Sequence, residues 1–381
     1  MANRSRILVL GAGSVGSEIA SCLAEDFDVS AADISNAALA TLRNKTVQKL
    51  PGIDFHNGEK LQRLAGKHDI VVGAMPGYLA FNALKSIIPA GKPVVDISFF
   101  EEDPWELDSL AKKYHVPVVI DCGVVPGLSN FFLGYENARM DIDTFECLCG
   151  GLPIERRAPW EYKAPFEVRS VLDLCLRPAR FIENGELRIV DPLKTREIVT
   201  ISPFATFEAA TTDGLRTLLR TIPVRHMIEK TLRYPGFFEK VELLRESGFL
   251  ETKEVDVGGK KVIPLDLTVW LLEKQWKLEK DEQEFTLLVL NIKGFARGKI
   301  ITVTYQILDH RDRKSRATSM ARVTGYPCAA VSHLFSQKKI SETGVIPPEY
   351  IGANAEQAEF VISFLKTHGI KIEKQSGVAK L

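Results

Sequence analysis

The chain has 381 residues, which is too long for one typical domain, so we expect two. A hydrophobic content of 45% and a charged content of 26% are ordinary for a globular protein. Lys and Arg together number 49, as do Asp and Glu, and the resulting formal charge of zero argues against general electrostatic binding of nucleic acid or of an acidic membrane.

Strand and helix patterns alternate over residues 1–128. RILVL has the composition of a buried strand, SEIASCLAE that of an amphipathic helix and DVSAAD that of a second strand. We then expect a helix in NAALATLRNKTVQKL and a short third strand in DFH. Three further strands, DIVVGAM, PVVDIS and PVVID, are separated by helical stretches around ALKSII and WELDSLAKKY. Such alternation predicts a parallel sheet covered by helices on both faces.

Residues 129–316 have a different, α+β pattern. FECLCGGLP indicates a strand that runs into a loop, and RFIENGELRIV predicts a hairpin that turns at Asn184-Gly185. EIVTISPFATFEAAT is another strand region, and EFTLLVLNIKGFARGKIITVTYQILD predicts two long strands. Helical patterns in GFFEKVELLRES and LDLTVWLLEKQW lie between these regions. We therefore expect a second domain built on a mixed or antiparallel sheet.

The last segment, residues 317–381, is again helical. SMARVTGYPCAAVSHLF and NAEQAEFVISFLKTHG have helical patterns, and Gly369 is suited to end the second helix. We expect the residues after about Glu373 to fray. No stretch approaches the length of a membrane span, and the six cysteines lack metal-ligand spacing. These features favour a cytoplasmic protein that holds no metal and does not bind a membrane.

A glycine motif lies between the first predicted strand and the first predicted helix, in ILVLGAGSVGSEIA. Gly11 makes the tight turn, Gly13 lets the backbone approach a pyrophosphate, and Gly16 lets the helix lie close to the strand. The helix begins at Ser14 and Val15, where free N–H groups and the positive end of the helix dipole attract phosphate. The motif in this position predicts a Rossmann dinucleotide-binding domain rather than an ordinary glycine-rich turn.

Asp33 ends the second predicted strand, roughly twenty residues after the turn, as the acidic residue of a dinucleotide site does. A carboxylate at this point accepts hydrogen bonds from both ribose hydroxyls of NAD and repels the additional phosphate of NADP. No Arg or Lys follows it in ADISNAA, and Ser35 or Asn36 can cap the next helix in its place. We therefore expect NAD, in preference to NADP, as the cofactor.

In open parallel sheets, ligands bind beyond the carboxyl ends of the strands. Two such ends carry residues that could line the cofactor pocket: Ala74, Met75 and Pro76 after the fourth strand, and Asp121, Cys122 and Gly123 after the sixth. The second group would lie where the nicotinamide meets the substrate. Cys122 is better explained as a wall or packing residue than as a nucleophile, because no histidine is near it in the sequence.

GAGSVG, VVGAMPGYLA, DCGVVPGLSN, GGLPIERRAPWEYK, TLRYPGFFEKVELLRESGFL and MARVTGYPCAAV together resemble the saccharopine dehydrogenase family. The resemblance runs from about Ile7 to His333. Within the family, PGLSN is most similar to the NAD-dependent lysine 6-dehydrogenases, which oxidise the ε-amine of L-lysine to an aldehyde that cyclises to Δ1-piperideine-6-carboxylate. The resemblance implies a Rossmann domain (1–128), an α+β substrate-binding and dimerisation domain (129–316), and a C-terminal segment (317–381) that returns to the first domain.

The resemblance also directs attention to polar residues of the second domain, where an amino-acid substrate would bind. The candidates are Glu155, Tyr162 and Lys163 after the GGLP loop, Thr212 in ATTDG, and Arg233 or, as a second choice, Arg225. Amine oxidation needs a neutral amine, so a desolvated Lys163 could act as the base, although an exposed loop lysine explains this residue as well. Arg233 would hold the substrate carboxylate, while Thr212 would donate a hydroxyl or cap a helix.

Other functions stay open. Val125 stands where the saccharopine-forming reductases carry an acid before Pro-Gly, which argues against saccharopine as substrate without identifying lysine. Saccharopine, a carboxyalkyl polyamine and a non-catalytic NAD-binding sensor are the alternatives. The family often forms dimers through the sheet of the middle domain, so we expect a homodimer, although the apolar strands LLVLNI and IITVTYQI suit a core equally well.

Overall fold

The protein is described by a computed structural model that covers residues 4–164, 166–279 and 282–380. Its first part alternates strands and helices. The strands are β1 (Arg6–Leu10), β2 (Asp28–Asp33), β3 (Gln48–Pro51), β4 (Ile70–Gly73), β5 (Val94–Asp96) and β6 (Pro117–Val119). The helices are α1 (Ser14–Leu23), α2 (Asn36–Ala40), α3 (Gly58–Ala65), α4 (Gly77–Ile87) and α5 (Asp108–Lys113).

The middle part contains most of the remaining strands. They are β7 (Asp141–Pro153), β8 (Ala179–Glu183), β9 (Glu186–Val190), β10 (Glu197–Ile201), β11 (Ala205–Thr211), β12 (His226–Arg233), β13 (Val255–Val257), β14 (Lys260–Val262), β15 (Glu284–Ala296) and β16 (Lys299–His310). The helices are α6 (Leu128–Asn137), α7 (Val168–Leu176), α8 (Leu218–Thr221), α9 (Phe237–Glu246) and α10 (Pro264–Trp276).

The last part returns to both sheets. Its elements are α11 (Ser319–Ser336), β17 (Gly344–Ile346), α12 (Pro348–Ala353), α13 (Ala355–Thr367) and β18 (Glu373–Lys380). β17 pairs with β6 in the first sheet, and β18 pairs with β16 in the second. α11 lies against α1, and a Cβ added at Gly325 would be 2.9 Å from the side chain of Ile19.

The first sheet has seven strands in the order β17-β6-β5-β4-β1-β2-β3, and all of its pairings are parallel. Its central strands are apolar on both faces, because helices cover each side; Ile7, Leu8 and Val9 are fully buried. Since the strands are parallel, their carboxyl ends meet at one edge of the sheet. The predicted doubly wound parallel sheet is confirmed.

The second sheet has nine strands and is mixed. Its main path is β10-β11-β12-β7-β15-β16-β18, and the β8–β9 hairpin joins it at β12. β7 and β12 are parallel, and the other pairings are antiparallel. On β15, Leu288, Leu290 and Ile292 belong to the main hydrophobic core, so the core explanation of LLVLNI accounts for these residues.

Three local predictions are wrong. The helix expected over 36–50 ends at Ala40, because the Asn44 side chain accepts hydrogen bonds from the backbone and hydroxyl of Thr46 and stabilises a turn. The third strand is therefore β3, and DFH is a turn in which the Asp54 carbonyl accepts from the amide of Asn57. Residues 374–380 do not fray, because the free edge of β16 pairs with them.

Within the described ranges, no helix is long and apolar enough to cross a bilayer. The same ranges contain no group of three or more His, Cys, Asp and Glu side chains placed to hold a metal ion. All six cysteines are buried thiols.

Candidate active site

The glycine turn connects β1 to α1 and is fixed by Asp33. One carboxylate oxygen of Asp33 accepts the amide of Ala12 at 2.8 Å, and the other accepts the amide of Ser35 at 2.8 Å. The side chain is half-buried at the carboxyl end of β2. It is therefore held beside the turn, where the sequence analysis places the ribose of a dinucleotide.

Two glycines of the turn differ in the space around them. A Cβ at Gly16 would lie 2.1 Å from the carbonyl oxygen of Gly11, so α1 can approach the turn only with glycine at this position. A Cβ at Gly13 would meet nothing within 4 Å. Gly13 also precedes α1 without a side-chain cap, which leaves the helix start at Ser14 and Val15 open to an anion. These residues fit the pyrophosphate of a nicotinamide dinucleotide.

A buried chain of hydrogen bonds ties the ends of β4 and β5 together. The Asp96 carboxylate accepts the amide and the hydroxyl of Ser98 at 2.9 and 3.0 Å, and the Ser98 hydroxyl accepts the amide of Met75 at 3.2 Å. Burial raises the pKa of Asp96 to about 8. Ala74 donates its amide to Leu10 at 2.8 Å, next to the glycine turn. The loop that leads through Pro76 into α4 is thus held beside the nucleotide turn.

The end of β6 is joined to the middle domain by a buried ion pair. Arg216 Nε donates to Asp121 Oδ2 at 3.1 Å, and Arg216 Nη1 donates to the carbonyl oxygen of Phe100 at 2.7 Å. The exposed fractions of the Arg216 and Asp121 side chains are 1% and 0%. Cys122 is buried next to this pair, and burial raises the pKa of its thiol. Asp121 therefore lies at the predicted strand end, but its carboxylate is occupied by an arginine of the other domain.

Gly123 follows this pair at the start of the crossover into α6. A Cβ there would lie 3.1 Å from the side chain of Thr324 on α11 and 3.2 Å from the carbonyl oxygen of Pro126. Helix α11 therefore packs closely on the segment that follows β6.

The loop that carries Arg216 is fixed by Glu229, a residue that the sequence analysis missed. Glu229 Oε2 accepts the hydroxyl of Thr212 at 2.6 Å and the amide of Gly214 at 3.1 Å. Thr212 also lies 2.8 Å from the hydroxyl of Thr231. Burial raises the pKa of Glu229 to about 7, despite these hydrogen bonds. Thr212 is therefore part of a buried polar cluster that holds the 212–216 loop against the Rossmann domain.

Arg233 and Tyr162 lie together in an aromatic cluster of the middle domain. The Arg233 guanidinium is 4.7 Å from the ring centre of Tyr162 and 5.3 Å from that of Phe237, and its Nη1 donates to the carbonyl oxygen of Leu232. Among the described residues, the Tyr162 hydroxyl and Arg233 Nε have no hydrogen-bond partner. Burial raises the pKa of Tyr162 to about 12, with Arg233 opposing it. The structure thus brings two of the predicted residues together.

Lys163 and Glu155 line one cavity together with Tyr162, but each has an ion-pair partner of its own. Lys163 Nζ donates to the carbonyl oxygen of Lys277 at 2.9 Å and is 3.6 Å from a carboxylate oxygen of Glu282. Glu155 is exposed and pairs with Arg157 at 2.7 Å, and this pairing lowers the pKa of Glu155. The structure does not bring either residue to the nucleotide turn. Arg225, the second choice for the carboxylate, is also exposed.

Comparison with known proteins identifies the fold and the family. Residues 7–119 match the family model of the saccharopine dehydrogenase NADP binding domain, and residues 123–370 match that of the saccharopine dehydrogenase C-terminal domain. The chain is 23% identical to the NADP+, L-glutamate-forming saccharopine dehydrogenase of Schizosaccharomyces pombe, across 97% of this chain and 98% of that protein. It is 22% identical to carboxyaminopropylagmatine dehydrogenase of Synechocystis sp., across 91% of this chain and 92% of that protein.

A solved structure shows the same fold. Apo saccharopine dehydrogenase (L-Glu forming) from Saccharomyces cerevisiae superposes with a TM-score of 0.79 at 21% identity, across 98% of this chain and 100% of that one. The two family models together match most of the chain, from residue 7 to residue 119 and from residue 123 to residue 370. The chain therefore belongs to the saccharopine dehydrogenase family.

Proposed function

We propose that the chain oxidises the ε-amine of L-lysine with NAD, giving an aldehyde that cyclises to Δ1-piperideine-6-carboxylate. The broader class is given by the family: the chain is an NAD(P)-dependent dehydrogenase acting on CH–NH2 or CH–NH groups. The observation that carries the proposal is the buried contact of Arg216, from the middle domain, with Asp121 after β6 and with the carbonyl oxygen of Phe100 after β5. Val125, in place of an acid, argues against saccharopine as the substrate.

The choice of NAD rests on the surroundings of Asp33. Its carboxylate is fixed beside the glycine turn, and a carboxylate at this position repels the additional phosphate of NADP. The next arginine along the chain, Arg43, pairs with Glu18 at 3.3 Å. The family model and the S. pombe relative are named for NADP, so the cofactor requires a direct test.

The bound cofactor would accept a hydride from the carbon next to the amine, and the chain's own residues must leave that amine neutral. A proton acceptor with a pKa near 7 does this at neutral pH. We infer that Glu229 has this role, because its pKa is about 7 and, from strand β12, it accepts hydrogen bonds from Thr212 and Gly214 of the loop that reaches the Rossmann domain. Lys163 is less suited to it, since the carboxylate of Glu282 lies close to its ammonium group.

The test is a substrate and cofactor screen of the purified chain. L-lysine, saccharopine and a carboxyalkyl polyamine are each offered with NAD and with NADP, and the absorbance of the reduced cofactor is followed. We expect turnover of L-lysine with NAD, and Asp33→Ala should lower kcat/KM for NAD and change the NAD-to-NADP preference by about tenfold or more. Turnover of saccharopine alone would contradict the lysine assignment. Tight NAD binding without turnover of any amine would support a sensor instead.

Saccharopine oxidation is the second candidate, because the relatives from S. pombe and Saccharomyces cerevisiae are named saccharopine dehydrogenases. The same screen separates it from lysine oxidation.

A further inference from the structure

The residues that flank helix α7 lie near side chains of the Rossmann domain at both ends, and the space between the two domains at this point is called the cleft. At its start, Glu167 contributes to the raised pKa of Tyr78, which lies on α4 of the Rossmann domain, although burial is the larger cause. At its end, the guanidinium carbon of Arg177 lies 4.8 Å from the ring centre of Phe99, which follows β5. Pro178 ends the helix, and Arg177 consequently has an extended backbone that directs the chain toward β8.

Three arginines meet at this end of the cleft, and two of them have full sets of partners. Arg216 binds Asp121 and the carbonyl oxygen of Phe100. Arg180 makes a two-nitrogen contact with Asp213, and both N–O distances are 2.8 Å. Each of these guanidinium groups therefore fixes protein structure and has little capacity left for a ligand.

Arg177 is different. It forms no ion pair with a carboxylate among the residues of the three described ranges, and its buried Nη1 has no hydrogen-bond partner there. The residue as a whole is half-buried rather than fully buried. A planar guanidinium with unused N–H donors is suited to bind a carboxylate with two parallel hydrogen bonds.

We propose that Arg177 binds the carboxylate of the amino-acid substrate; this inference rests on the proposed amine oxidation. The cofactor phosphates belong at Gly13 and the start of α1, beyond β1, whereas Arg177 lies over Phe99, beyond β5. Arg233, the residue expected from the sequence, contacts side chains of the middle domain, and only 3% of it is exposed. Arg177 contacts both domains and is the more accessible anion site.

The test compares Arg177→Gln with the full-length unmodified protein and with Arg169→Gln. Arg169 lies on the same helix, its side chain is 39% exposed and it pairs with Asp266, so its replacement is a matched control for loss of charge. The steady-state substrates are L-lysine and cadaverine, which has the same amine but no carboxylate. We expect Arg177→Gln to raise KM for L-lysine about tenfold to a hundredfold, as loss of a charged hydrogen bond does. KM for cadaverine and the parameters of Arg169→Gln should stay unchanged.

A binding measurement separates this inference from the proposed function. L-norleucine has the carboxylate and α-amine of lysine but no ε-amine, so it can bind without being oxidised. Calorimetric titration of L-norleucine into the protein with NAD therefore measures carboxylate binding without turnover. We expect Arg177→Gln to weaken norleucine binding by the same factor. Equal binding by Arg177→Gln and the unmodified protein, or no binding to either, overturns the role of Arg177 even if lysine is oxidised. Loss of binding in Arg177→Gln alone supports this role even if no amine is turned over.

Discussion

The buried ion pair between Asp121 and Arg216 gives the sharpest stability prediction. Asp121→Asn keeps the size of the side chain and an oxygen acceptor but removes the negative charge. Arg216 would then remain buried and charged with only neutral partners: the amide oxygen at position 121, the carbonyl oxygen of Phe100 and the rings of Phe99 and Phe100, at 5.2 and 4.9 Å. Because neither side chain of the pair is more than 1% exposed, water cannot replace the lost carboxylate.

The size of the effect follows from this burial. Removing one partner of a buried ion pair costs about 3–5 kcal/mol, because the other charge is left uncompensated. For a domain of roughly 150–250 residues, each kcal/mol of lost folding stability lowers Tm by roughly 2–4 °C. We therefore expect Asp121→Asn to lower Tm by an amount on the order of 10 °C. Burial raises the pKa of Asp121 although Arg216 opposes it, so the cost of burying the carboxylate exceeds the attraction between the two groups. Replacing both residues, as in Asp121→Leu with Arg216→Met, should therefore restore most of the stability.

The assay is thermal unfolding of four proteins: the unmodified chain, the single variant, the double variant and Asp69→Asn. Asp69 pairs with Arg6 at 3.3 Å in a similar geometry, but the two side chains are 42% and 55% exposed, so this control should change stability by less than about 1 kcal/mol. The reasoning is refuted if Asp121→Asn lowers Tm no more than Asp69→Asn does. A double variant no more stable than the single one would show that shape, rather than an uncompensated charge, sets the cost.

Two further predictions concern the cofactor turn and Glu229. Gly13→Ala should fold with an unchanged Tm, because its Cβ meets nothing within 4 Å. It should nevertheless bind the dinucleotide at least about tenfold more weakly in a calorimetric titration. Gly16→Ala is the contrasting variant, because it should lose folding stability as well as binding. The carboxyl of Glu229 has a folded pKa of about 7 against an ordinary value of 4.5, so stability should fall by roughly 3 kcal/mol as pH rises from 4.5 to 7. In denaturant titrations, Glu229→Gln should remove this fall in the free energy of unfolding with rising pH. It should also remove the decrease of kcat/KM at acidic pH. A variant that keeps both pH dependences would contradict the role of Glu229.

The first sheet and its nucleotide turn were predictable because their signals are local. The signals lie within one short stretch of sequence: the glycine spacing, the apolar strands around it and the acid at Asp33. Each of them acts through a steric or electrostatic effect on nearby residues and needs no distant partner. The same holds for the hairpin at Asn184-Gly185, which forms as expected. Elements whose stability comes from distant pairing were missed: β18 is polar and forms because β16 offers a free edge.

The middle-domain side of the site depends on contacts that no local pattern contains. Thr212 was a candidate as a hydroxyl donor or a helix cap, but its partner is Glu229, which lies 17 positions away on β12. An acid that follows a buried strand, as Asp121 does, requires a cation, and the arginine that supplies it is 95 positions away. A search for arginines able to neutralise Asp121 would have reached Arg216. What separates a structural arginine from a ligand-binding one is therefore whether its donors are already used, and this property of Arg177 exists only in the folded chain.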